Sequence, residues 1–279
     1  MSQYILLPRL EVKNANAQPA WWIIGPPPMT AYAGFAQALA LSVCLDIDDR
    51  KGALYEGIAV VHHDIKFLGE ISYQYGKTTL HPHQYRSASF IDADDYLSPR
   101  GKGEKKRPVL SSQPTARCHM AVSLIIRFDD DTVFNTDKVS SFLRGGRLAG
   151  GTIVDHGEIK SFKDDIGIDK VKKAVGSGYS IVERQDLMVM QGDDNDMLDV
   201  VLRMTRSENR DANPWLMPTT LGYVEITERR HRKNVRGGFL HAYAEPLVGL
   251  VQYKSIRDVG LKFWSYTHPK PNVHTVSTN

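Results

Sequence analysis

The sequence predicts an α+β fold, and three observations carry that expectation. Strict apolar–polar alternation, the mark of half-buried strands, occurs in both halves of the chain. One long stretch repeats apolar residues every four positions, the mark of a helix buried on one side. Glycine and proline breakers separate the two kinds of pattern.

Tyr4 to Lys13 alternates. Leu6, Pro8, Leu10 and Val12 are expected on one face, with Leu7, Arg9, Glu11 and Lys13 on the other. Gly25-Pro26-Pro27-Pro28 follows as a break, since proline is excluded from helix and sheet interiors alike. Thr30 stands where a helix cap belongs, and Phe35, Leu39 and Val43 predict a helix over Ala31 to Val43. Gly57 to His63 and Phe67 to Tyr75 read as strands. Thr115 to Phe128 is the cleanest strand, with Cys118, Met120, Val122, Leu124, Ile126 and Phe128 on a wholly apolar face. Asp137 to Leu143 reads as a short helix ended by Gly145-Gly146. Leu187 to Met190 and Leu198 to Met204 fit strand or helix. Gly222 to Thr227 and Gly260 to Tyr266 read as strands. The order strand, helix, strand, strand, helix, strand in the first half suits a ferredoxin-like unit, one of the frameworks that recognise RNA. No repeat is visible, and one domain over residues 1–279 is expected.

At 279 residues the chain can bury a core without disulfides or metals. Apolar residues at 42% and charged residues at 24% exclude disordered and collagen-like classes. Cys44 and Cys118 fall in apolar patterns and read as buried thiols in a reducing compartment. Met1 to Arg9 lacks a basic start and an uninterrupted apolar core, so no signal peptide is expected. The longest apolar stretch, Ala31 to Leu45, falls short of the about 20 residues a membrane span needs. A cytoplasmic protein without membrane contact is the expectation.

The residues argue for binding rather than catalysis. His62 and His63 are neighbours on a strand and point to opposite faces, so they should not share a ligand. His81 and His83 belong to no metal-binding frame. The runs at Asp46, Asp129 and Asp193 lack the glycine and glutamate of a calcium loop and read as turns. No nucleophile motif is present. No metal, no cofactor and no catalytic residue is expected.

The net charge is only +3, but the cations cluster. Lys102, Lys105, Lys106 and Arg107 crowd a polar stretch between two strand patterns, which suits either a protruding cationic hairpin or a solvated loop. Arg229, Arg230, Arg232, Lys233 and Arg236 form a denser run beside a strand. Like charges this close repel unless an anionic partner or water screens them, and nucleic acid is the favoured partner. Arg147 sits between two glycine pairs, Gly145-Gly146 and Gly150-Gly151, without P-loop or dinucleotide spacing. Asn14 and Asn16 follow the first strand, where amides either read base edges or hold a turn.

Several blocks of the chain resemble one known family. They are Leu6-Leu7-Pro8-Arg9-Leu10 with Asn14-Ala15-Asn16-Ala17, Gly25-Pro26-Pro27-Pro28-Met29-Thr30, Ala116 to Leu124, Arg147-Leu148-Ala149-Gly150-Gly151, and Trp215 to Tyr223. In order and spread they resemble the second-subunit Csy family of the type I-F CRISPR surveillance complex (Cascade), within the Cas-five superfamily. Val154 to Pro214 is compact compared with that family, which points to a compact variant.

The resemblance implies a non-catalytic subunit with a ferredoxin-like, RRM-type body and a thumb-like hairpin insertion, here residues 78–114. It implies that the chain grips the 5′ handle of the CRISPR RNA and caps the foot of the complex. Partners would be a backbone subunit, a large subunit where present, and target DNA in the assembled complex. Arg229, Arg230, Arg232, Lys233 and Arg236 would meet handle phosphates. Lys102, Lys105, Lys106 and Arg107 would extend the thumb along RNA. Arg147 would reach a phosphate or the backbone subunit, and Asn14, Asn16 and His119 are candidates for base or ribose contacts. The alternative from another class is a metal-independent endoribonuclease of the repeat RNA, with His81, His83 or His119 as general base.

Overall fold

The computed structural model describes residues 2–43, 55–83, 90–91, 109–110, 115–129, 136–163, 166–192, 194–209, 211–231 and 239–278. The fold is α+β and dominated by one sheet.

The first half begins with a long strand, β1 (Ser2–Asn16), and a helix, α1 (Met29–Val43). Then come β2 (Gly57–Phe67), a hairpin of β3 (Gly69–Gln74) and β4 (Lys77–Pro82), and the paired β5 (Phe90–Ile91) and β6 (Val109–Leu110). β7 (Arg117–Asp129), α2 (Thr136–Gly145), β8 (Arg147–Leu148) and β9 (Gly151–Asp155) complete it. The main strands run in the order β2-β7-β1-β9, each pair antiparallel.

β1 does not keep the two faces that simple alternation predicts. It carries one extra residue against β7 between Leu7 and Leu10, and another between Val12 and Ala15. Each bulge flips the alternation once. Arg9 and Asn14 sit in the bulges with positive φ, 47° and 57°. The flips place Ile5, Leu7, Leu10, Val12 and Ala15 together in the core beneath α1 and α2, while Leu6 turns to the other face. β7 keeps its alternation, so Cys118 through Phe128 at even positions lie in that core as the sequence predicts. Burial pushes the Cys118 thiol up to about 12, which keeps it protonated and inert. α1 starts at Met29, so Thr30 lies inside its first turn rather than at the cap.

The second half supplies β10 (Lys160–Lys163), α3 (Ile166–Val175), β11 (Tyr179–Glu183) and α4 (Met197–Thr205). Leu198 to Met204 is thus helical; Asp196 caps the helix by accepting from the Leu198 and Asp199 amides. β12 (Leu216–Glu225), β13 (Ala244–Ser255), α5 (Ile256–Val259), β14 (Phe263–Lys270) and β15 (Val273–Thr278) end the chain.

These strands close a ring. β11 pairs β13, β13 pairs β12, β12 pairs β15 and β15 pairs β14. β14 and β11 then both return to one edge of β2, at Ile58–Ala59 and at Val61–His62. Ring closure satisfies strand edges that would otherwise stand open. Trp264 is fully buried inside it, and its indole N–H donates to the Ile181 carbonyl across the ring at 3.1 Å. On the outer face α3 and α5 cover Tyr4, Leu6, Ala59, Val61 and Ile125 with Val171, Val175 and Ile256. Among the described residues no helix is long and apolar enough to cross a membrane.

Candidate nucleic-acid interface

β12, β15 and β14 are neighbours, and their registers decide what one face of the ring carries. Tyr223 stands opposite His274, and Val276 opposite Tyr266. With period-two alternation, Tyr223, Glu225, His274, Val276, Tyr266 and His268 share a face. A bulge between Thr220 and Gly222 sets this register. A side chain at position 222 would run into the His274 carbonyl and Thr275, so only glycine allows β12 to approach β15 this closely.

That face, the start of α1 and the end of β1 enclose a cavity of about 680 Å³. Tyr223, Tyr266, His274 and Val276 form one wall. Pro28, Thr30 and Ala31 of the α1 entry form another, and Asn16, Gln18, Pro19, Ala149 and Gly150 close it. The volume lies within the range of small-ligand sites.

Each wall is fixed by hydrogen bonds. Asn16 donates to the Gln18 carbonyl and accepts from the Gln18 amide, while Gln18 donates to the Trp21 carbonyl and accepts from the Ala116 amide. Thr220 donates to the Pro19 carbonyl and ties this loop to β12. Ala149 and Gly150 form the tip of the β8–β9 hairpin, both with positive φ, 50° and 74°, as a two-residue turn with right-handed strand twist requires. A side chain on Gly151 would meet the backbone of Lys13 and Ala15 at 2.7 Å. These glycines therefore serve the chain's own close packing. They also present Arg147, exposed, immediately before the cavity-lining turn.

Of the candidate contact residues singled out in the sequence, Asn16 alone lines the cavity; Asn14 and His119 bond each other nearby, and Arg147 stands on β8 paired with Thr152. Asn14 donates its backbone N–H to His119 Nδ1 at 3.1 Å, and Arg117 donates to the Asn14 carbonyl at 3.5 Å beside Gly150. Asn16 lines the cavity itself. Asn14 sits in a bulge and Asn16 spends its amide on its own loop, so the turn-holding role of these asparagines is the one the structure shows.

Arg229 reaches the same site from the other side, but not as an open cation. Its guanidinium donates two bonds to Glu225, and its Nη2 lies 2.9 Å from His274 Nε2. His274 Nε2 also lies 2.7 Å from Glu225, and its Nδ1 lies 3.0 Å from His268 Nδ1. When His274 donates from Nε2 to Glu225 and accepts at Nδ1 from His268, it cannot also accept from Arg229, whose Nη2 then donates to Glu225 and the Pro271 carbonyl. Arg229, then His274, hold the Glu225 carboxyl below the usual glutamate range. Arg229 is thus charge-compensated, and it anchors the entry of the basic run. Arg230 pairs its backbone with His241. Arg232, Lys233 and Arg236 lie outside the described residues, as do Lys102, Lys105, Lys106 and Arg107 with most of the stretch 78–114.

His81 accepts or donates a bond with Ser72 at 2.7 Å, and His83 lies 3.7 Å from Glu70, both on the β3–β4 hairpin. His62 is buried against Tyr32, while His63 bonds Ser123 and the Ser177 carbonyl on the opposite face. The two histidines do diverge as strand geometry requires. Among the described residues no group of three or more His, Cys, Asp or Glu side chains is arranged to hold a metal ion.

Residues 5–273 match the family model for CRISPR-associated protein (Cas_Csy2). The chain belongs to that family. It is therefore a Cascade subunit of a type I-F CRISPR system, and it works within a multi-subunit complex. The wall residue His274 escaped the sequence reading altogether, and Tyr223, Tyr266 and Thr30 entered it only as structural positions. They lie up to 244 positions apart in the chain, and only strand register brings them together; local periodicity holds no such signal.

Proposed function

We propose that the chain is a non-catalytic, cytoplasmic subunit that binds the 5′ handle of the CRISPR RNA and caps one end of the complex. Membership of the Cas_Csy2 family carries this reading. The basic run from Arg229 to Arg236 supports it, because its first residue, Arg229, lies against His274 in the wall of a cavity that also carries aromatic and hydrogen-bonding groups. Stacking surfaces beside cations are what single-stranded RNA binding uses. A ferredoxin-like body is supported by the order β2-β7-β1-β9 with α1 and α2 packed on the same core. The thumb-like insertion expected at 78–114 lies mostly outside the described residues, and the β3–β4 hairpin with its Tyr75-Gly76 tip leads into it. The backbone subunit, the large subunit where one exists, and target DNA are the partners this role implies.

The charge run makes the test specific. Phosphate contacts release counterions, so removing two of them lowers affinity and flattens its salt dependence by about 1.4 in log–log slope, at about 0.7 per single-strand phosphate. Arg232→Ala with Arg236→Ala should show both effects when binding of repeat-derived RNA is titrated against salt. An unchanged affinity and slope would remove these residues from the RNA contact.

A further inference from the structure

β14 carries a bulge near its end. Three steps from Thr267 to Lys270 oppose two steps from Thr275 to Val273, so one extra residue stands across from His274. His268, on this bulged stretch, faces His274. Their Nδ1 atoms lie 3.0 Å apart, with ring centres at 4.9 Å and ring planes at 83°. Each nitrogen stands one ring radius out from its centre, so a head-on bond of this length would set the centres further apart. The two nitrogen lone-pair axes therefore meet at an angle.

Hydrogen bonding prepares one of these nitrogens as a ligand. His274 donates from Nε2 to Glu225 at 2.7 Å, which leaves its Nδ1 unprotonated. A carboxylate on the far nitrogen orients metal-binding histidines and raises their basicity. His268 is exposed, and a neutral imidazole carries its proton on either nitrogen. With that proton on Nε2, both Nδ1 atoms are bare acceptors that repel at 3.0 Å, and a cation between them removes the repulsion. Two nitrogens held about 2.0–2.1 Å from one ion, in positions about 90–110° apart, are separated by about 2.9–3.4 Å. The observed distance falls in that range. Imidazole donors suit zinc, copper and nickel, whereas magnesium and calcium take oxygen. The guanidinium charge of Arg229 is offset by Glu225, 2.6 Å away.

We infer that His268 and His274 form a surface site for one divalent transition-metal ion, bound through both Nδ1 atoms with water in the remaining positions. The ion ties β14 to β15 through their side chains. Through Glu225 it also steadies Arg229 at the start of the basic run. The inference is independent of the RNA-binding reading.

The test titrates the full chain, free of any affinity tag, with Cu2+ and with Zn2+. At one equivalent of Cu2+, electron paramagnetic resonance should show hyperfine coupling to two equatorial imidazole nitrogens. Zn2+ should raise the thermal midpoint of unfolding. His268→Gln should lose the two-nitrogen signal and the zinc-dependent rise, while keeping the parent's metal-free midpoint because His268 is exposed. Glu225→Gln should weaken zinc binding by about 10- to 100-fold, the usual cost of losing the carboxylate behind a histidine ligand. His81→Gln with His83→Gln, on β4, should keep both metal signals. A zinc-dependent rise as large in His268→Gln as in the parent, or a two-nitrogen signal unchanged in that variant, would overturn the site. So would a parent chain whose midpoint does not respond to Zn2+.

Discussion

His62 shows how one buried side chain ties stability to pH. It sits in the core with its Nε2 2.9 Å from the Tyr32 hydroxyl and its ring edge-on to Tyr253. Desolvation, then the nearby His63, lowers its pKa from 6.5 to about 3. Below pH 6.5 the unfolded chain takes up a proton that the folded chain refuses until about pH 3. Stability is therefore full above pH 6.5 and falls as pH drops through that window. His63 is shifted the same way by its own burial. The carboxylates that arginines hold low, Asp186, Asp194 and Glu225, begin to withdraw stability only below about pH 4.5. The urea midpoint should accordingly fall between pH 7 and pH 5, and His62→Gln should fall less steeply over that range. A slope as steep in the variant as in the parent would mean that His62 does not stay neutral in the fold.

At the scale of elements, β1 depends on its bulges. Two extra residues let an alternating sequence keep five apolar side chains on one side of a curved strand. Deleting Arg9 leaves two steps from Leu7 to Leu10, matching the two from Leu124 to Val122, so Leu10 and Val12 keep the core face and only the bulge is lost. That variant should retain a cooperative unfolding transition, as should Arg9→Gly, which accepts positive φ without steric cost, whereas inserting one residue between Leu10 and Glu11 turns Val12 outward and should abolish it. Cooperative unfolding of the insertion at the parent's midpoint would contradict the register. The contrast with β7 explains what was legible. β7 alternates without interruption, so its buried face follows from the letters alone. The bulges of β1 are specified by pairing with β7, a strand more than 100 residues away, and alternation cannot report them. Leu198 to Met204 was open between strand and helix because seven residues hold too few periods; the Asp196 cap decides it.

The whole molecule joins an antiparallel core to a ring that returns to β2. Both halves share one hydrophobic core, from Ile5 and Leu39 to Trp264 and Val276. The cavity forms where the ring, the α1 entry and the β8–β9 turn meet. The α+β class and the strand–helix order of the first half were visible in the sequence, as was the basic run beside β12. Ring closure was not, because β2 pairs with β11 and β14 across gaps of about 120 and 200 residues that no local pattern spans. The cavity shared that obscurity, since four of its wall residues lie on strands brought together by the ring.

The central claim is that this Cascade subunit holds the 5′ end of the guide. The most direct measurement expresses a tagged copy with a CRISPR array and the other proteins of its operon, purifies it, crosslinks the complex and sequences the RNA joined to this chain. Crosslinks confined to a repeat-derived 5′ segment of mature CRISPR RNA are the expected result. A complex whose RNA crosslinks to this chain only through the spacer, or a purified chain that carries no RNA, would contradict it.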